Sequence, residues 1–477
     1  MKKTRKKGPA SRSRLGKAKL SYGERLELGF ARVERDLIWM MDCLQELFTE
    51  LGEGRIQEAL PFRTSSKTAL PPITDGEVTR SYAIAFGLLN LAEEVAAEAM
   101  RMLNETINGP PHEPGSWAQA FRLMKAEGTD GEVLANELPA LRVEPVLTAH
   151  PTEARRRSVL ACMQEIHSIL VEGGGRGKEH PAERELRNRL KVILERWWRT
   201  EEVRTQRPTV DMEREGIIHC LAGSMAQSIA ETDRRLREAW QLAELGEGGP
   251  VHPAVRPQLR FGTWVGGDRD GHPLVTAETT RTSLRMYRTA SLKLLGASLE
   301  KLASRLTLSR KYHGTPAELE KWLIDWRKRV GSERAEAVSI YQEEPWREAV
   351  LLMRNFLPKE EVSFGYNRPE DLIMDLGVVR RGLLAVGAAR LAAAEVDTVI
   401  RLVEVFGFHL AVLDIRQNST RHDEAIEELE AKTGMVGAVP YATRSEAERR
   451  TLLGSWMEKL PWTTDEAMAA GPASFEV

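Results

Sequence analysis

The chain has 477 residues, of which 29% are charged and 42% hydrophobic, and its formal net charge is −2. This composition is ordinary for a folded globular protein and excludes a wholly disordered chain. No apolar stretch approaches the roughly 20 residues that a membrane-spanning helix needs. The three cysteines, Cys43, Cys162 and Cys220, form no close pair that would indicate a disulfide framework or a zinc ribbon. We therefore expect a reducing, cytoplasmic location.

The first 20 residues differ in charge from the rest of the chain. They carry nine lysine or arginine residues and no acidic residue, whereas the remainder holds 59 basic against 70 acidic side chains. We interpret residues 1–22 as a basic, disordered tail, because end segments of this kind are usually unstructured. Such a tail could also contact RNA, a membrane surface or an acidic partner.

Most of the chain after the tail is predicted to be helical. Between Leu26 and Leu51, apolar residues recur at intervals of three and four, and Gly52 then marks the end of the helix. Tryptophan and methionine residues within such patterns are expected to pack in the core. The same spacing predicts further helices over residues 81–107, 186–198, 218–240, 277–306, 316–330, 370–389 and 392–406.

Three short segments interrupt the helical pattern. Residues 141–148, 258–265 and 408–415 are apolar or β-branched, and each is predicted to be a buried strand. A polar, charged cluster follows each segment, and a helical pattern follows each cluster. This order is typical of the carboxyl ends of the strands in an α/β barrel. We therefore predict a mainly α fold with α/β barrel elements, a partial, helix-decorated TIM-type barrel in which the three strands are parallel neighbours.

The cluster after the first predicted strand contains His150. Pro151 follows it, and because proline is favoured at the first position of a helix, we predict that His150 lies at a helix N-terminus, where backbone N–H groups attract anions. Arg155, Arg156 and Arg157 come within the next two turns. A histidine beside an anion site can move protons near neutral pH. The alternative is that His150 only caps the helix and that the arginines are solvated.

The second cluster, residues 266–273, has the sequence GGDRDGHP. Its glycines permit sharp turns and close backbone approach, and its aspartates could form ion pairs that orient Arg269. Arg260 and Trp264 precede the cluster and, four residues apart on a strand, should face the same side of the sheet. A purely structural turn held by aspartate side chains would show the same pattern.

The third cluster begins with Arg416 at the end of the last predicted strand, with Asp414 two residues before it on the same face. A buried, unpaired charge is costly, so Arg416 must meet an anion, either Asp414 or a bound substrate. Together the clusters offer one histidine and several arginines, but few carboxylates suited to a metal. This set favours a small substrate that carries phosphate and carboxylate groups, which arginine binds bidentately.

At these residues the sequence resembles the phosphoenolpyruvate carboxylase family. VLTAHPTEARRR (146–157) fits that family's histidine signature, and FGTWVGGDRDGHP (261–273) and LDIRQNSTRH (413–422) resemble two further family segments in the same order. The resemblance runs from about residue 23 to about residue 430, with His272 and Asn418 standing where the family usually has Asn and Glu. Family members are much longer. The resemblance therefore implies that residues 23–477 are the amino-terminal part of a phosphoenolpyruvate carboxylase-like α/β barrel whose carboxyl-terminal half is absent.

The resemblance also implies an activity and its residues. In the family, phosphoenolpyruvate and bicarbonate give oxaloacetate and phosphate, an anaplerotic carbon fixation that feeds the tricarboxylic acid cycle. Magnesium takes part, with ligands expected in the missing half, and the complete enzyme is expected to be a homo-oligomer, a tetramer in the family. His150 matches the residue that accepts the carboxyphosphate proton. The implied substrate-binding residues are Arg416, Trp264, Arg269, Arg260 and Arg156.

We do not expect this chain to catalyse the reaction by itself, because the motifs of the family's second half are not found in it. A truncated non-catalytic fragment and one subunit of a split enzyme are alternatives. A different class of function is a helical interaction or nucleic-acid-binding protein that uses the basic tail. The acidic body and the three internal motifs disfavour that class, and salt-dependent binding that disappears on deletion of residues 1–20 would identify it.

Overall fold

The computed structural model describes residues 20–57, 60–62, 74–148, 155–173, 181–201, 208–250, 253–270, 274–359, 365–433, 439–458 and 462–476. The predicted basic tail lies almost wholly outside these residues. The described residues belong to two compact units. One comprises Met1–Thr129, Thr152–Arg207 and Glu238–Glu244, and the other comprises Asp130–Pro151, Pro208–Arg237 and Leu245–Val477.

Helices dominate both units, as the apolar spacing predicts. Among the described residues, no helix combines the length and the apolarity that crossing a membrane requires. The α-helices are α1 (Tyr22–Glu50), α2 (Gly54–Gln57), α3 (Asp75–Ile107), α4 (Trp117–Ala126), α5 (Gly131–Glu137), α6 (Arg157–Glu172), α7 (Pro181–Trp198), α8 (Val210–Cys220), α9 (Ala226–Leu242), α10 (Ala277–Arg305), α11 (Arg310–His313), α12 (Ala317–Val330), α13 (Ser332–Glu336), α14 (Pro345–Asn355), α15 (Pro369–Ala385), α16 (Ala389–Leu391), α17 (Asp397–Phe406), α18 (Ser419–Thr433), α19 (Glu446–Glu458), α20 (Thr464–Met468) and α21 (Pro472–Glu476).

The helical predictions are confirmed over most of their length, although α15 ends at Ala385, short of the predicted residue 389, and two of the predicted helices contain a π-helical turn. A π-helical turn, Leu221–Met225, joins α8 to α9, and a second, Ala392–Val396, joins α16 to α17. Each of these turns inserts one extra residue into the helical repeat. Apolar spacing alone does not reveal such an insertion, because the apolar side chains on either side of it still fall near one face.

The first unit is a helical bundle of α1, α3, α6 and α7. Ser21 begins α1 with a capping box, in which its hydroxyl accepts from the N–H of Glu24 and the Glu24 carboxylate accepts from the Ser21 N–H. The bundle core is built on large apolar side chains, with Trp197 fully buried. Trp197 packs directly on Gly87 of α3, where an added Cβ would lie 3.0 Å or less from two atoms of the indole ring. A glycine is therefore required for these two helices to pack this closely.

The second unit places two short parallel sheets, built from the same three chain segments, among helices, and α10, α14, α15 and α17 contribute much of its core. The strands are β1 (Arg142–Val143), β2 (Val146–Leu147), β3 (Gln258–Leu259), β4 (Gly262–Thr263) and β5 (Val412–Leu413). β1 pairs with β3, and β4 pairs with both β2 and β5, in every case in parallel. The three segments predicted as strands are thus parallel neighbours, with 258–265 in the middle, and that prediction is confirmed.

The burial predicted for the first strand segment is wrong. Leu141, Val143 and Val146 keep 43%, 45% and 45% of their surface exposed, whereas Gly262 and Thr263 in the middle segment are buried. The physical reason is position, because residues 141–148 form an edge of the sheet and the described residues provide no strand beyond it. The described part of the chain is therefore a mainly helical fold with a three-segment parallel sheet, in which no closed barrel is seen.

Candidate functional site at the carboxyl ends of the strands

The loop after β4 depends on two glycines. Gly266 has a φ of +87°, and an added Cβ would lie far inside 3.0 Å of the Ser283 hydroxyl on α10. A Cβ on Gly267 would be similarly close to the Asp414 carbonyl oxygen and 3.0 Å from the Leu413 side chain. Real Cβ atoms essentially never come this close to another heavy atom. Residue 266 therefore lies against a helix and residue 267 against the neighbouring strand, and neither position accommodates a side chain without a shift.

Backbone hydrogen bonds join this loop to the third cluster. The Asp414 N–H donates to the Thr263 carbonyl at 2.8 Å, and the Arg416 N–H donates to the Gly267 carbonyl at 3.0 Å. The Arg269 N–H in turn donates to the Arg416 carbonyl at 2.9 Å, and residues 268 and 416 form a parallel bridge. The parallel ladder thus continues past the strands and fixes the second and third clusters side by side.

Arg416 is the cationic centre of this arrangement. Its guanidinium carbon lies 4.5 Å from the centroid of the Trp264 ring, a cation–π contact. Its nitrogens lie 3.8 Å from a carboxylate oxygen of Asp268 and 3.8 Å from one of Asp414. These distances are too long for hydrogen bonds, and 48% of the Arg416 side chain is exposed.

This geometry answers the question that the sequence left open at Arg416. The side chain is half-exposed rather than buried, so it needs no obligatory partner. Two aspartates neutralise it from a distance, and among the described residues its side chain makes no hydrogen bond. Its N–H donors can therefore bind an incoming anion while the guanidinium stays in cation–π contact with Trp264.

Arg269 contributes to the site mainly through its backbone. One guanidinium nitrogen donates to the Thr280 hydroxyl of α10 at 3.2 Å. The side chain lines a cleft with Thr464, Met468 and Ser474, and Arg416 is not among the residues that line this cleft. The two arginines are thus neighbours through their main chains, while their side chains have different surroundings.

Arg260 and Trp264 occupy opposite ends of the middle segment. The Arg260 N–H donates to the Val143 carbonyl at 3.0 Å, and its side chain is exposed. Burial, and then the charge of Arg260, lower the pKa of His409, which precedes β5. By the observed register Arg260 is level with residue 410, roughly 20 Å before Arg416 along an extended strand. The structure does not bring Arg260 to the Arg416 cluster.

The cluster around His150 is only partly described. Residues 149–154, with His150, lie outside the described residues. Helix α6 begins at Arg157, and Arg156 before it is extended, with φ −74° and ψ 149°. The predicted place of His150 and Pro151 at a helix N-terminus therefore lies outside the described residues. The guanidinium of Arg156 belongs to the first unit and pairs with Glu201.

Sequence reasoning missed a set of polar side chains on α10 that contact the loop after β4. This loop, residues 265–269, contains Gly266 and Gly267 and is called the glycine loop below. Thr280, Ser283 and Tyr287 recur at intervals of three and four, so they share one helical face. Tyr287 donates its hydroxyl to the Val265 carbonyl at 3.0 Å, and burial raises the pKa of this phenol to about 12. A signal for these residues was present in the sequence, because three polar residues at helical spacing occur in the helix predicted directly after GGDRDGHP.

Asn418 also has a structural role. Its side-chain oxygen accepts from the Thr420 N–H at 2.9 Å, which satisfies a free donor in the first turn of α18. Its amide nitrogen lies 3.5 Å from a carboxylate oxygen of Asp270. An amide can both accept from the helix and approach a carboxylate, so Asn418 links the second cluster to the start of α18.

The described residues do not fit a magnesium site. Within them, no group of three or more histidine, cysteine, aspartate or glutamate side chains converges as cation ligands would. The two carboxylates nearest the site, those of Asp268 and Asp414, both face the Arg416 guanidinium.

The described residues form a helix-rich α/β fold in which parallel strands carry, at their carboxyl ends, a half-exposed arginine in cation–π contact with a tryptophan. Comparison with known proteins shows the family to which such a chain belongs. The family model of phosphoenolpyruvate carboxylase matches residues 64–466, and the chain belongs to that family.

Curated relatives agree with the family match and show how much of them the chain covers. The phosphoenolpyruvate carboxylase of Xanthomonas euvesicatoria pv. vesicatoria is 31% identical over 442 residues, which are 91% of this chain and 48% of that protein. Those of Ralstonia nicotianae and Roseiflexus castenholzii are 30% and 31% identical, over 79% and 80% of this chain and 38% and 42% of their own lengths. The chain thus spans less than half the length of these relatives.

Proposed function

We propose that this chain is the amino-terminal, anion-binding part of an enzyme that carboxylates phosphoenolpyruvate with bicarbonate to give oxaloacetate and phosphate. The observation that carries the proposal is the half-exposed guanidinium of Arg416, stacked on Trp264 at the carboxyl ends of parallel strands in a chain of the carboxylase family. The oxaloacetate would enter the tricarboxylic acid cycle, and the enzyme would work in the cytoplasm.

Arg416 is proposed to bind the phosphate or carboxylate of phosphoenolpyruvate. Stacking on the indole fixes the plane of the guanidinium, so its N–H donors need little ordering when an anion arrives. Donors preorganised in this way stabilise negative charge that builds up on the enolate and phosphate oxygens in the transition state. Trp264 would also shield one side of the substrate from water.

The remaining residues of the proposed site have less direct support. His150 is proposed as the group that accepts the carboxyphosphate proton, on its match to the family's histidine signature alone. Arg269 and Arg156 are proposed as further substrate-binding arginines, and Arg269 has the better support because its main chain is hydrogen-bonded to that of Arg416. Arg260, the third arginine expected from the sequence, lies too far along the middle strand segment from Arg416 to bind the same small anion.

The second unit is proposed to be part of a TIM-type barrel that further strands complete. Support comes from the exposed apolar side chains of Leu141, Val143 and Val146 on an edge strand, since such edges are normally covered by another strand or helix. On this proposal residues 23–477 pair with a carboxyl-terminal half, which also brings the magnesium ligands and allows a homo-oligomer to form.

The test is calorimetric titration of phosphoenolpyruvate into the purified chain and its Arg416 variants. We expect weak binding by the natural chain, about millimolar, and a loss of about tenfold or more for Arg416→Ala, because a charge-assisted contact is worth roughly 1.5–3 kcal/mol. Arg416→Lys should recover only part of the affinity, since an ammonium group cannot reproduce the planar fork.

The matched control is Arg421→Ala. Arg421 lies five residues on, at an exposed position where it pairs with Glu424, so its removal should leave binding within about twofold of the natural chain. Equal affinity in the natural chain and Arg416→Ala would contradict the proposal. In the same preparations we expect no oxaloacetate from phosphoenolpyruvate and bicarbonate, and magnesium-dependent turnover by this chain alone would show that the proposed division of the enzyme is wrong.

A further inference from the structure

One face of α10 contacts the glycine loop at three successive levels. Thr280, Ser283 and Tyr287 form this face, which we call the α10 polar face. The Tyr287 hydroxyl donates to the Val265 carbonyl at 3.0 Å, at the start of the loop. The Thr280 hydroxyl accepts from the Arg269 guanidinium at 3.2 Å, at its end. Between them, Ser283 lies so close to Gly266 that no side chain fits there.

Ser283, the middle residue of this face, accepts a hydrogen bond from a buried arginine of α8. Arg214 of α8 is 2% exposed, and one of its guanidinium nitrogens donates to the Ser283 hydroxyl at 2.9 Å. The other terminal nitrogen pairs with Asp211. Ser283 also donates to the Thr279 carbonyl at 2.8 Å. With both its donor and its acceptor occupied, the Ser283 hydroxyl is fixed in orientation and gives the loop a rigid surface to lie on.

The same loop carries the backbone groups that fix Arg416. Gly267 accepts from the Arg416 N–H, and Arg269 donates to the Arg416 carbonyl. A shift of the loop relative to α10 would therefore move the Arg416 main chain with it. Val265 is 4% exposed, and among the described residues Tyr287 provides the hydrogen bond to its carbonyl, so losing that hydroxyl would leave a buried acceptor without a partner.

We propose that Thr280, Ser283 and Tyr287 are positioning residues that set the location of Arg416 for anion binding. They touch no substrate and act through the loop that they hold. The proposal rests on the proposed function, because it gives these residues a purpose in the binding of phosphoenolpyruvate. It adds residues from a helix that carries none of the three sequence clusters.

The chain offers a matched control on the same helix. Ser291, one turn beyond Tyr287, is fully buried, and its hydroxyl donates to the Gly407 carbonyl at 2.6 Å. Gly407 precedes β5, at the opposite end of that strand from Arg416. Ser291→Ala thus removes a buried helix-to-backbone hydrogen bond of the same kind, away from the site, whereas Tyr287→Phe and Thr280→Val remove hydroxyls next to it and keep the side-chain shape.

The experiment measures two properties of the full chain and these three variants. Titration with phosphoenolpyruvate should give dissociation constants about five- to tenfold higher for Tyr287→Phe and Thr280→Val, the effect of one lost buried hydrogen bond, and within about twofold of the natural chain for Ser291→Ala. Hydrogen exchange followed by mass spectrometry should be faster over residues 262–270 in Tyr287→Phe and unchanged there in Ser291→Ala.

The possible outcomes test the positioning role and the proposed function separately. Faster loop exchange together with weaker binding supports the positioning role. Unchanged loop exchange in both Tyr287→Phe and Thr280→Val overturns it, as does faster exchange with unaltered affinity, because the hydroxyls would then serve stability alone. If the natural chain binds no phosphoenolpyruvate, the proposed function fails, while the exchange measurement still decides whether the α10 polar face holds the loop.

Discussion

Replacing Gly267 by alanine tests the packing on which the site depends. The new Cβ would point at the Asp414 carbonyl oxygen from well under 3.0 Å and would lie 3.0 Å from the Leu413 side chain. The carbonyl cannot move aside freely, because the Asp414 N–H is bonded to the Thr263 carbonyl at 2.8 Å. The loop must therefore shift away from the third strand segment.

The cost can be estimated from the bonds that this shift would break. Two backbone hydrogen bonds, Arg416 to Gly267 at 3.0 Å and Arg269 to Arg416 at 2.9 Å, join the loop to the strand. Each is worth about 1 kcal/mol, and overpacking a close contact adds about 1–3 kcal/mol. We expect Gly267→Ala to lower the free energy of unfolding by about 3–5 kcal/mol, a large part of the stability of an ordinary domain.

The assay is urea unfolding followed by circular dichroism, with Gly296→Ala as the control. Gly296 lies inside α10, where an added Cβ would meet only the Leu357 side chain at an ordinary 3.7 Å. That substitution should raise stability by up to about 1 kcal/mol, because alanine favours a helix interior. A Gly267→Ala midpoint equal to that of the natural chain, or a shift in the same direction for both variants, would refute the packing argument.

Two further predictions concern buried groups away from the site. Burial raises the pKa of the Cys43 thiol to about 12, so this buried cysteine should resist a thiol reagent at pH 8 in the folded chain. The partly exposed Cys220 should react, and equal labelling rates for the two cysteines would contradict the burial of Cys43. Asp233→Asn should lower the free energy of unfolding by about 3–5 kcal/mol, because it removes a carboxylate that two buried guanidinium groups share, and a urea midpoint within error of the natural chain would contradict this. The groups in contact with the Asp233 carboxylate are Arg256, at 2.6 Å, and Arg401, at 3.4 Å.

The sequence predicted the helices and the pairing of the strands because both depend on local patterns. Apolar spacing records which face of a helix is buried, and the repeated order of strand, polar cluster and helix indicates parallel neighbours. It did not predict that residues 141–148 are exposed, because an apolar segment reads the same at the edge of a sheet as in the middle.

The residues with distinctive chemistry were predictable from the sequence, whereas the common polar residues that support them were not. Arg416 and Trp264 stand out in sequence, and the structure brings them to 4.5 Å. Arg260 and Trp264, four residues apart, were both predicted to face the same side of the sheet. Arg260, however, lies at the amino-terminal end of its strand segment, far from Arg416. The α10 polar face escaped notice because threonine, serine and tyrosine are common on helices, and only the fold shows which backbone groups they meet.

The charges around Arg416 explain why this chain should bind its proposed substrate only weakly. One guanidinium faces two carboxylates, Asp268 and Asp414, each 3.8 Å away and each partly exposed. The local sum of charge is therefore negative, although solvent reduces the effect of every pair. Phosphoenolpyruvate carries more than one negative charge, so a single arginine in such surroundings cannot attract it strongly. Tight binding requires more cations directed at the same point, and on the proposed function these come from Arg269 and from a carboxyl-terminal half. The two aspartates face different nitrogens of Arg416 at equal distances, so on that proposal added cations must also offset their negative charge before the site attracts the substrate strongly.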